Sequence, residues 1–245
     1  MSIESQSQSA PRVAIVTGGS EGLGRALAEV LVDRGWHVVI DGRRVELLAI
    51  AATTLGPNVT AVVGDISDPE HRHELVATAR ATGPISLLVN NAGTLGPSPL
   101  PAVTDLDDAA LTAILRANVV APAQLIGLTI DELRSNAGTV VNITSDAAVE
   151  AYEGWGGYGA SKAALDHLGA VLAVEEPTVR VLRVDPGDLR TAMHQAAFPG
   201  EDISDRPLPS AVAPTIVDLV ESDRPSGRYR AGDLVVASIA DGAVR

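Results

Sequence analysis

The sequence predicts an α/β fold: a parallel sheet, doubly wound, with helices on both faces. Six short aliphatic runs recur along the chain, and the longer stretches between them carry helical spacing. Strand and helix patterns that alternate this way imply βαβ units. Composition agrees, since 46% of residues are hydrophobic but only 2% aromatic. Parallel strands covered on both faces read as continuous Val/Ile/Leu runs rather than as alternating ones.

The strand candidates are Val13–Val16, His37–Ile40, Val59–Val63, Ile85–Val89, Thr139–Ile143 and Val179–Val184. After the first, Leu23, Ala26, Leu27, Val30 and Leu31 fall at i, i+3, i+4, i+7 and i+8, one helical face. Gly35 supplies a stop for that helix. A second helical stretch, Ala49 to Leu55, ends at Gly56-Pro57. Asp68-Pro69 pairs a capping residue with a proline suited to the first turn, which opens a third helix. A last helix is expected near Pro209–Ser222, after a flexible excursion from Pro199 to Pro209. Residues 1–11 are Ser/Gln-rich, without an apolar or positively charged segment, and read as a disordered tail. With no linker or repeat evident, residues 12–245 are expected to form one domain.

At 245 residues the chain can bury a core without staples. It has no cysteine, which excludes disulfides, thiolate metal sites and thiol nucleophiles. Its net charge of −13 disfavours nucleic-acid backbones. No stretch reaches the roughly 18 uninterrupted apolar residues of a membrane span, so a cytoplasmic location is expected.

Between the first strand and first helix lies Thr17-Gly18-Gly19-Ser20-Glu21-Gly22-Leu23-Gly24. Glycines here permit a tight turn and close backbone approach, and the helix N-terminus offers unpaired N–H groups to a pyrophosphate. Tyr158-Gly159-Ala160-Ser161-Lys162 sets a phenol and an ammonium four residues apart, on one helical face. A free phenol has a pKa near 10, and a neighbouring cation favours phenolate, so the spacing predicts an acidified tyrosine. The chain holds three tyrosines and a single lysine, Lys162, so random placement yields roughly 0.01 such pairs. Ser145 ends the fifth strand, 13 residues before Tyr158, and strand ends are where doubly wound folds seat ligands.

These motifs resemble the short-chain dehydrogenase/reductase family. Thr17 to Gly24 is similar to its T-G-x-x-x-G-x-G, Asn90-Asn91-Ala92-Gly93 to its N-N-A-G, and Tyr158 to Lys162 to its Y-x-x-x-K. Pro186-Gly187-Asp188-Leu189-Arg190-Thr191 resembles its P-G-x-x-x-T beside the nicotinamide carboxamide. The resemblance spans about Val13 to Thr191 and implies a single Rossmann-like domain. It further implies catalytic roles for Ser145, Tyr158 and Lys162, with Asn118 supporting a water relay to the lysine. Cofactor contacts are implied at Gly18, Ser20, Glu21, Gly22, Leu23 and Gly24 in the turn, and at Arg43 and Arg44 after the second strand. Further contacts are implied at Asp65 and Ile66, at Asn91, Ala92 and Gly93, at Tyr158 and Lys162, and at Pro186, Gly187 and Thr191.

The expected activity is hydride transfer between NADP(H) and a small carbonyl or secondary alcohol, with Tyr158 as general acid/base. The alternatives are an NAD-dependent alcohol dehydrogenase of the same family and a nucleotide-binding protein without turnover. After the second strand stand Asp41-Gly42-Arg43-Arg44: an acid would pair with the ribose 2′-OH of NAD, an arginine with the 2′-phosphate of NADP. In NAD-preferring relatives the acid usually stands at the place of Gly42, so Arg43 favours NADP, whereas Glu21 argues for NAD. The family usually forms dimers or tetramers through the helices near Leu106–Leu133 and Tyr158–Glu175, so a homodimer or homotetramer is expected.

Other residues read as ordinary structure. His71-Arg72-His73 is expected to be a solvated face rather than a metal site. Glu175-Glu176 ends the Tyr158 helix, and adjacent helix residues point apart. Ser161 lacks a nucleophile elbow. Tyr152 and Trp155 are expected to line the pocket. The segment Ala192 to Pro209 is too mixed to name a substrate, and Gly227-Arg228-Tyr229-Arg230-Ala231-Gly232-Asp233 departs from the family's glycine-rich ending.

Overall fold

The computed structural model describes residues 12–234. The expected tail, residues 1–11, lies outside the described residues, as do the last residues of the expected domain.

Seven strands form one parallel sheet: β1 Val13–Val16, β2 His37–Gly42, β3 Val59–Val63, β4 Ile85–Asn90, β5 Thr139–Ile143, β6 Arg180–Asp185 and β7 Gly227–Arg230. Their spatial order is β3-β2-β1-β4-β5-β6-β7. The chain reverses direction across the sheet between β1 and β4, which opens a crevice at the carboxyl ends there. The helices are α1 Gly22–Asp33, α2 Val45–Leu55, α3 Pro69–Thr82, α4 Asp108–Leu115, α5 Ala121–Ser135, α6 Gly156–Glu175, α7 Ala192–Ala197 and α8 Pro209–Glu221. The result is the Rossmann-like doubly wound sheet.

Side-chain alternation divides the core. Ala14 and Val16 of β1 pack with Leu27 and Leu31 of α1 and Ile216 and Val217 of α8. Val13 and Ile15 face the other way, onto Leu75 and Val76 of α3 and Leu125 and Leu133 of α5. All four β1 residues are fully buried because period-two alternation supplies an apolar residue to each covered face. Each fully buried Leu or Ile contributes about 1.5–3 kcal/mol relative to exposure.

Element boundaries differ modestly from expectation. α2 begins at Val45 rather than Ala49, with Arg44 in extended conformation as the capping residue before it. β7 is a strand although it carries two arginines, because as an edge strand beside β6 it pairs them with carboxylates. The expected solvated face at His71-Arg72 is overturned. His71 and Arg72 are 5% exposed, and only His73 of that trio faces solvent. His71 Nε2 lies 2.9 Å from Asp41 Oδ2, and Arg72 Nη1 donates to the Ile66 carbonyl at 2.6 Å. Paired polar groups tolerate burial that lone ones do not.

Between α4 and α5 the helix continues through a π turn, Arg116–Val120, into one helical run from Asp108 to Ser135. That run is long and apolar enough to cross a membrane by length and composition. Here Ile114, Leu125 and Leu133 are fully buried in the protein.

Candidate active site

The glycine turn is built around Thr17 and Asp41. Thr17 Oγ1 accepts from the amides of Asn91 (3.0 Å) and Ala92 (2.9 Å), and Asn91 Nδ2 donates back to the Thr17 carbonyl at 2.8 Å. The loop after β4 is thereby stitched to the turn after β1. Asp41 holds the turn from the other side: its Oδ1 accepts from the Gly18 amide at 2.6 Å, and its carbonyl from the Gly19 amide at 3.0 Å.

Gly24 must lack a side chain. A Cβ there would sit 2.3 Å from the Gly18 carbonyl oxygen and 2.5 Å from Asn91 Nδ2, so α1 could not pack against its own turn. Glu21, the capping residue before α1, makes no side-chain cap and pairs instead with Arg44. No acidic residue occupies the first turn of α1. The helix end thus keeps its partial positive charge for an external anion, which fits a pyrophosphate.

Tyr158 and Lys162 lie in the first half of α6, both buried. Lys162 Nζ donates to the Ile143 carbonyl at the end of β5 (2.7 Å) and stands 5.6 Å from the Tyr158 ring centroid. Ser145 follows β5 in extended conformation; its Oγ donates to Asp146 Oδ1 at 2.9 Å and accepts from the Ala147 amide at 3.1 Å.

Asn118 sits in the π turn, fully buried. Its Oδ1 accepts from the Thr94 amide, and its Nδ2 donates to the Thr94 carbonyl and to Ser161 Oγ, all within 2.9 Å. Ser161 in turn donates to the Tyr158 carbonyl at 2.6 Å. A π turn widens the helix by one residue and recurs at functional sites. Here it lets one amide side chain tie the loop after β4 to the Tyr158 helix.

Burial governs the electrostatics. It pushes the Tyr158 phenol above its ordinary value, partly offset by the Ser145 hydroxyl and reinforced by the charges of Asp146 and Asp185. Burial also pushes Lys162 down to about 8. The expectation of a phenol acidified by its lysine is therefore corrected for the cofactor-free protein. Desolvation of the phenol outweighs the Ser145 hydrogen bond that opposes it, while the lysine stands across the ring face. Burial alone would raise the Asp146 carboxyl, but hydrogen bonds from Ser145, Tyr152 and the Ala147 amide hold it below the usual carboxylate range.

One cavity of about 1240 Å³ runs from the turn to Tyr158. Gly18, Ser20, Glu21, Gly22 and Leu23 line one end, with Arg43, Arg44, Asp65 and Ile66. Asn91, Ala92 and Gly93 form its floor, and Ser145, Tyr158, Lys162, Pro186, Gly187 and Thr191 its far end. Gly24 and Asn118 do not reach the cavity; they support it from behind. Trp155 lines it, its ring 5.6 Å from Tyr158 at 73°, whereas Tyr152 stands outside on the surface with its hydroxyl between Asp146 and Glu150.

Sequence reading missed the partners that hold this site together. Thr17 was visible only as a motif letter. The Asp41–His71 pair joins residues 30 apart, and Gly64 leaves room for it: a Cβ there would lie 2.1 Å from His71 Nδ1.

Comparison with known proteins agrees with this geometry. A family profile described as short chain dehydrogenase matches residues 12–202. An uncharacterized oxidoreductase of Saccharomyces cerevisiae is 35% identical over 185 residues, covering 74% of this chain and 72% of that protein. Sepiapterin reductase of Rattus norvegicus is 35% identical over 201 residues, 76% of this chain and 77% of that one. A short chain dehydrogenase structure from Shigella flexneri, complexed with NADP, superposes with a TM-score of 0.83 at 28% identity, covering 90% of this chain and 97% of that one. The chain belongs to the short-chain dehydrogenase family and is an NAD(P)-dependent oxidoreductase acting on small molecules.

Proposed function

We propose that the protein reduces a small carbonyl compound with NADPH, and that Tyr158 is the general acid. The observation that carries this reading is the single cavity that joins the glycine turn to Ser145, Tyr158 and Lys162. A bound nicotinamide would supply the hydride. The pyrophosphate would rest on the amides of Gly22 and Leu23, and the nicotinamide would lie among Lys162, Pro186, Gly187 and Thr191.

Burial keeps the Tyr158 phenol neutral at pH 7, so it holds the proton that reduction needs. Tyr158 passes that proton to the carbonyl oxygen as the carbon accepts hydride, and an alcohol results. Ser145 Oγ turns from Asp146 to donate to the same oxygen and stabilises its developing charge. Lys162, fixed by the Ile143 carbonyl, offers a cation to the phenolate left behind. Asn118 acts through Ser161 and Thr94, setting the Tyr158 helix against the loop after β4.

NADP preference is supported by the fate of Asp41. Its carboxylate is 2% exposed and engaged by Gly18 and His71, so it is withdrawn from the ribose edge. Beyond Gly42 the exposed groups are Arg43 and Arg44, suited to a 2′-phosphate. A second reading, NAD-linked oxidation of an alcohol, is favoured by Glu21, which occupies Arg44, and by Asp65, 3.7 Å from Arg43.

A homodimer is proposed from the exposed apolar face of the long helical run and of α6. Only 33% of the most apolar window in Asp108–Ser135 is buried, and Val120, Leu168, Val171 and Val174 are exposed. A monomer mass by light scattering at micromolar concentration would contradict it. The activity is tested by following NADPH oxidation with a ketone panel. Tyr158→Phe should lower turnover by about 10²–10⁴-fold while NADPH still binds. Undiminished turnover in that variant would remove Tyr158 from the mechanism.

A further inference from the structure

The unusual ending of the sequence, Gly227-Arg228-Tyr229-Arg230, has a place under the reaction centre. In β7 the side chains of Arg228 and Arg230 share one face of the sheet. Arg228 Nη2 donates to the main-chain carbonyl of Ser145 at 2.9 Å. The same guanidinium lies 3.7 Å from Asp185 Oδ2 through Nη2 and 3.3 Å from Asp166 Oδ1 through Nε. Asp185 is 2% exposed, and its Oδ1 accepts from the Gly187 amide at 2.9 Å. Arg230 backs the same carboxylate from 3.5 Å, and Arg183 donates to Asp166 Oδ2 at 2.8 Å.

We propose that Arg228 is a positioning residue for the reaction, one guanidinium that fixes the Ser145 carbonyl and, through Asp185, the Gly187 amide. The proposal rests on the reductase reading given above. The Ser145 carbonyl orients the peptide from which the serine hydroxyl and Asp146 both project. Gly187 lies in the loop after β6 and lines the same cavity as Ser145. Arg228 thus ties two segments of the reaction centre to the edge strand. The planar guanidinium hydrogen-bonds the carbonyl and faces the two carboxylates as ion-pair partners, a spread of charge that a compact ammonium does not reproduce. Burial raises the Asp185 carboxyl above its ordinary range, and the Gly187 amide and the two arginines oppose that rise.

Two variants test this. Arg228→Lys keeps the cation and loses the fork, while Arg228→Gln loses both. Each is characterised for thermal stability, kcat, KM for ketone and for NADPH, and the carbonyl ¹³C shift of Ser145 in the cofactor-free protein. In folded variants kcat should fall about 10–100-fold, the scale of an ångström's misplacement of a reacting group. KM for NADPH should change by a smaller factor than kcat, because Gly187 shifts beside the nicotinamide while the glycine turn is untouched. The Ser145 carbonyl resonance should move in both.

Should Arg228→Gln fail to fold, it is combined with Asp185→Asn, which removes the buried carboxylate left facing it and keeps an acceptor for Gly187. That pair should fold and stay slow. Parental kcat in any folded variant, or an unmoved Ser145 resonance, would overturn the proposal. A parent protein that turns over no ketone would strike the reductase reading instead, and the carbonyl shift would still decide whether Arg228 holds Ser145.

Discussion

Lys162 offers a direct test of the site's electrostatics, because it is the chain's single lysine and can be watched alone. Burial moves it from an ordinary 10.5 to about 8. A cation bound less tightly by its proton in the folded state costs stability while it remains charged. The cost is full below about pH 8 and disappears as pH rises toward 10.5, where the unfolded chain also becomes neutral. From the difference in pKa the cost at pH 7 is about 3 kcal/mol, shrinking to about 2 kcal/mol at pH 9. Lys162→Met removes the charge together with its hydrogen bond to Ile143, a loss of about 1.5–3 kcal/mol that offsets most of the gain. The variant should therefore be about as stable as the parent at pH 7, and lose about 1 kcal/mol relative to it by pH 9. Urea unfolding of both proteins at the two pH values reads this difference. Labelling lysine with ¹³C at the ε carbon gives one resonance, which should titrate near pH 8 in the folded protein. A midpoint above 10, or a stability difference that ignores pH, would refute the argument. Reduction should also slow above pH 8 in the parent, as the cation facing Tyr158 is lost.

Three other substitutions probe the frame of the site. Gly24→Ala drives a methyl into the Gly18 carbonyl; it should destabilise by about 1–3 kcal/mol and abolish NADPH binding, read by thermal unfolding and by cofactor fluorescence. Glu21→Gln frees Arg44 from its ion pair and should raise the preference for NADP over NAD up to about fivefold in dissociation constant. A preference moving toward NAD would contradict the assignment of Arg44. His71→Ala leaves Asp41 Oδ2 without its donor and opens a buried gap; the expected loss is about 2–4 kcal/mol, or roughly 5–15 °C in Tm. Its exposed neighbour His73→Ala should cost less than about 0.5 kcal/mol.

The strands were legible because a parallel sheet covered on both faces demands unbroken aliphatic runs, and Val13–Val16 or Ile85–Val89 has no other good reading. β7 was not, because its two arginines look like surface until Asp185 and Asp166 are brought beneath them by the crossover from β6. The meeting of Tyr158 and Lys162 was legible from motif spacing, since they need only one helix, whereas most other cavity positions came from the family resemblance. What failed was everything set by distant pairing. His71 reads as solvated from its polar neighbours, yet Asp41 makes it a core residue. The direction of the Tyr158 shift also escaped, because spacing reveals a neighbouring cation but not how little water surrounds the pair.

Arginine supplies the other 17 of the 18 lysine and arginine side chains, and Lys162 is only 3% exposed. Amine-seeking reagents, whether an active ester, an acetyl donor or a crosslinker, therefore meet no ε-amino group on the outer surface, and the one amine of that kind stands at the end of the cavity. Labelling at that nitrogen would report access to the reaction centre, a built-in gauge of how open the cavity is.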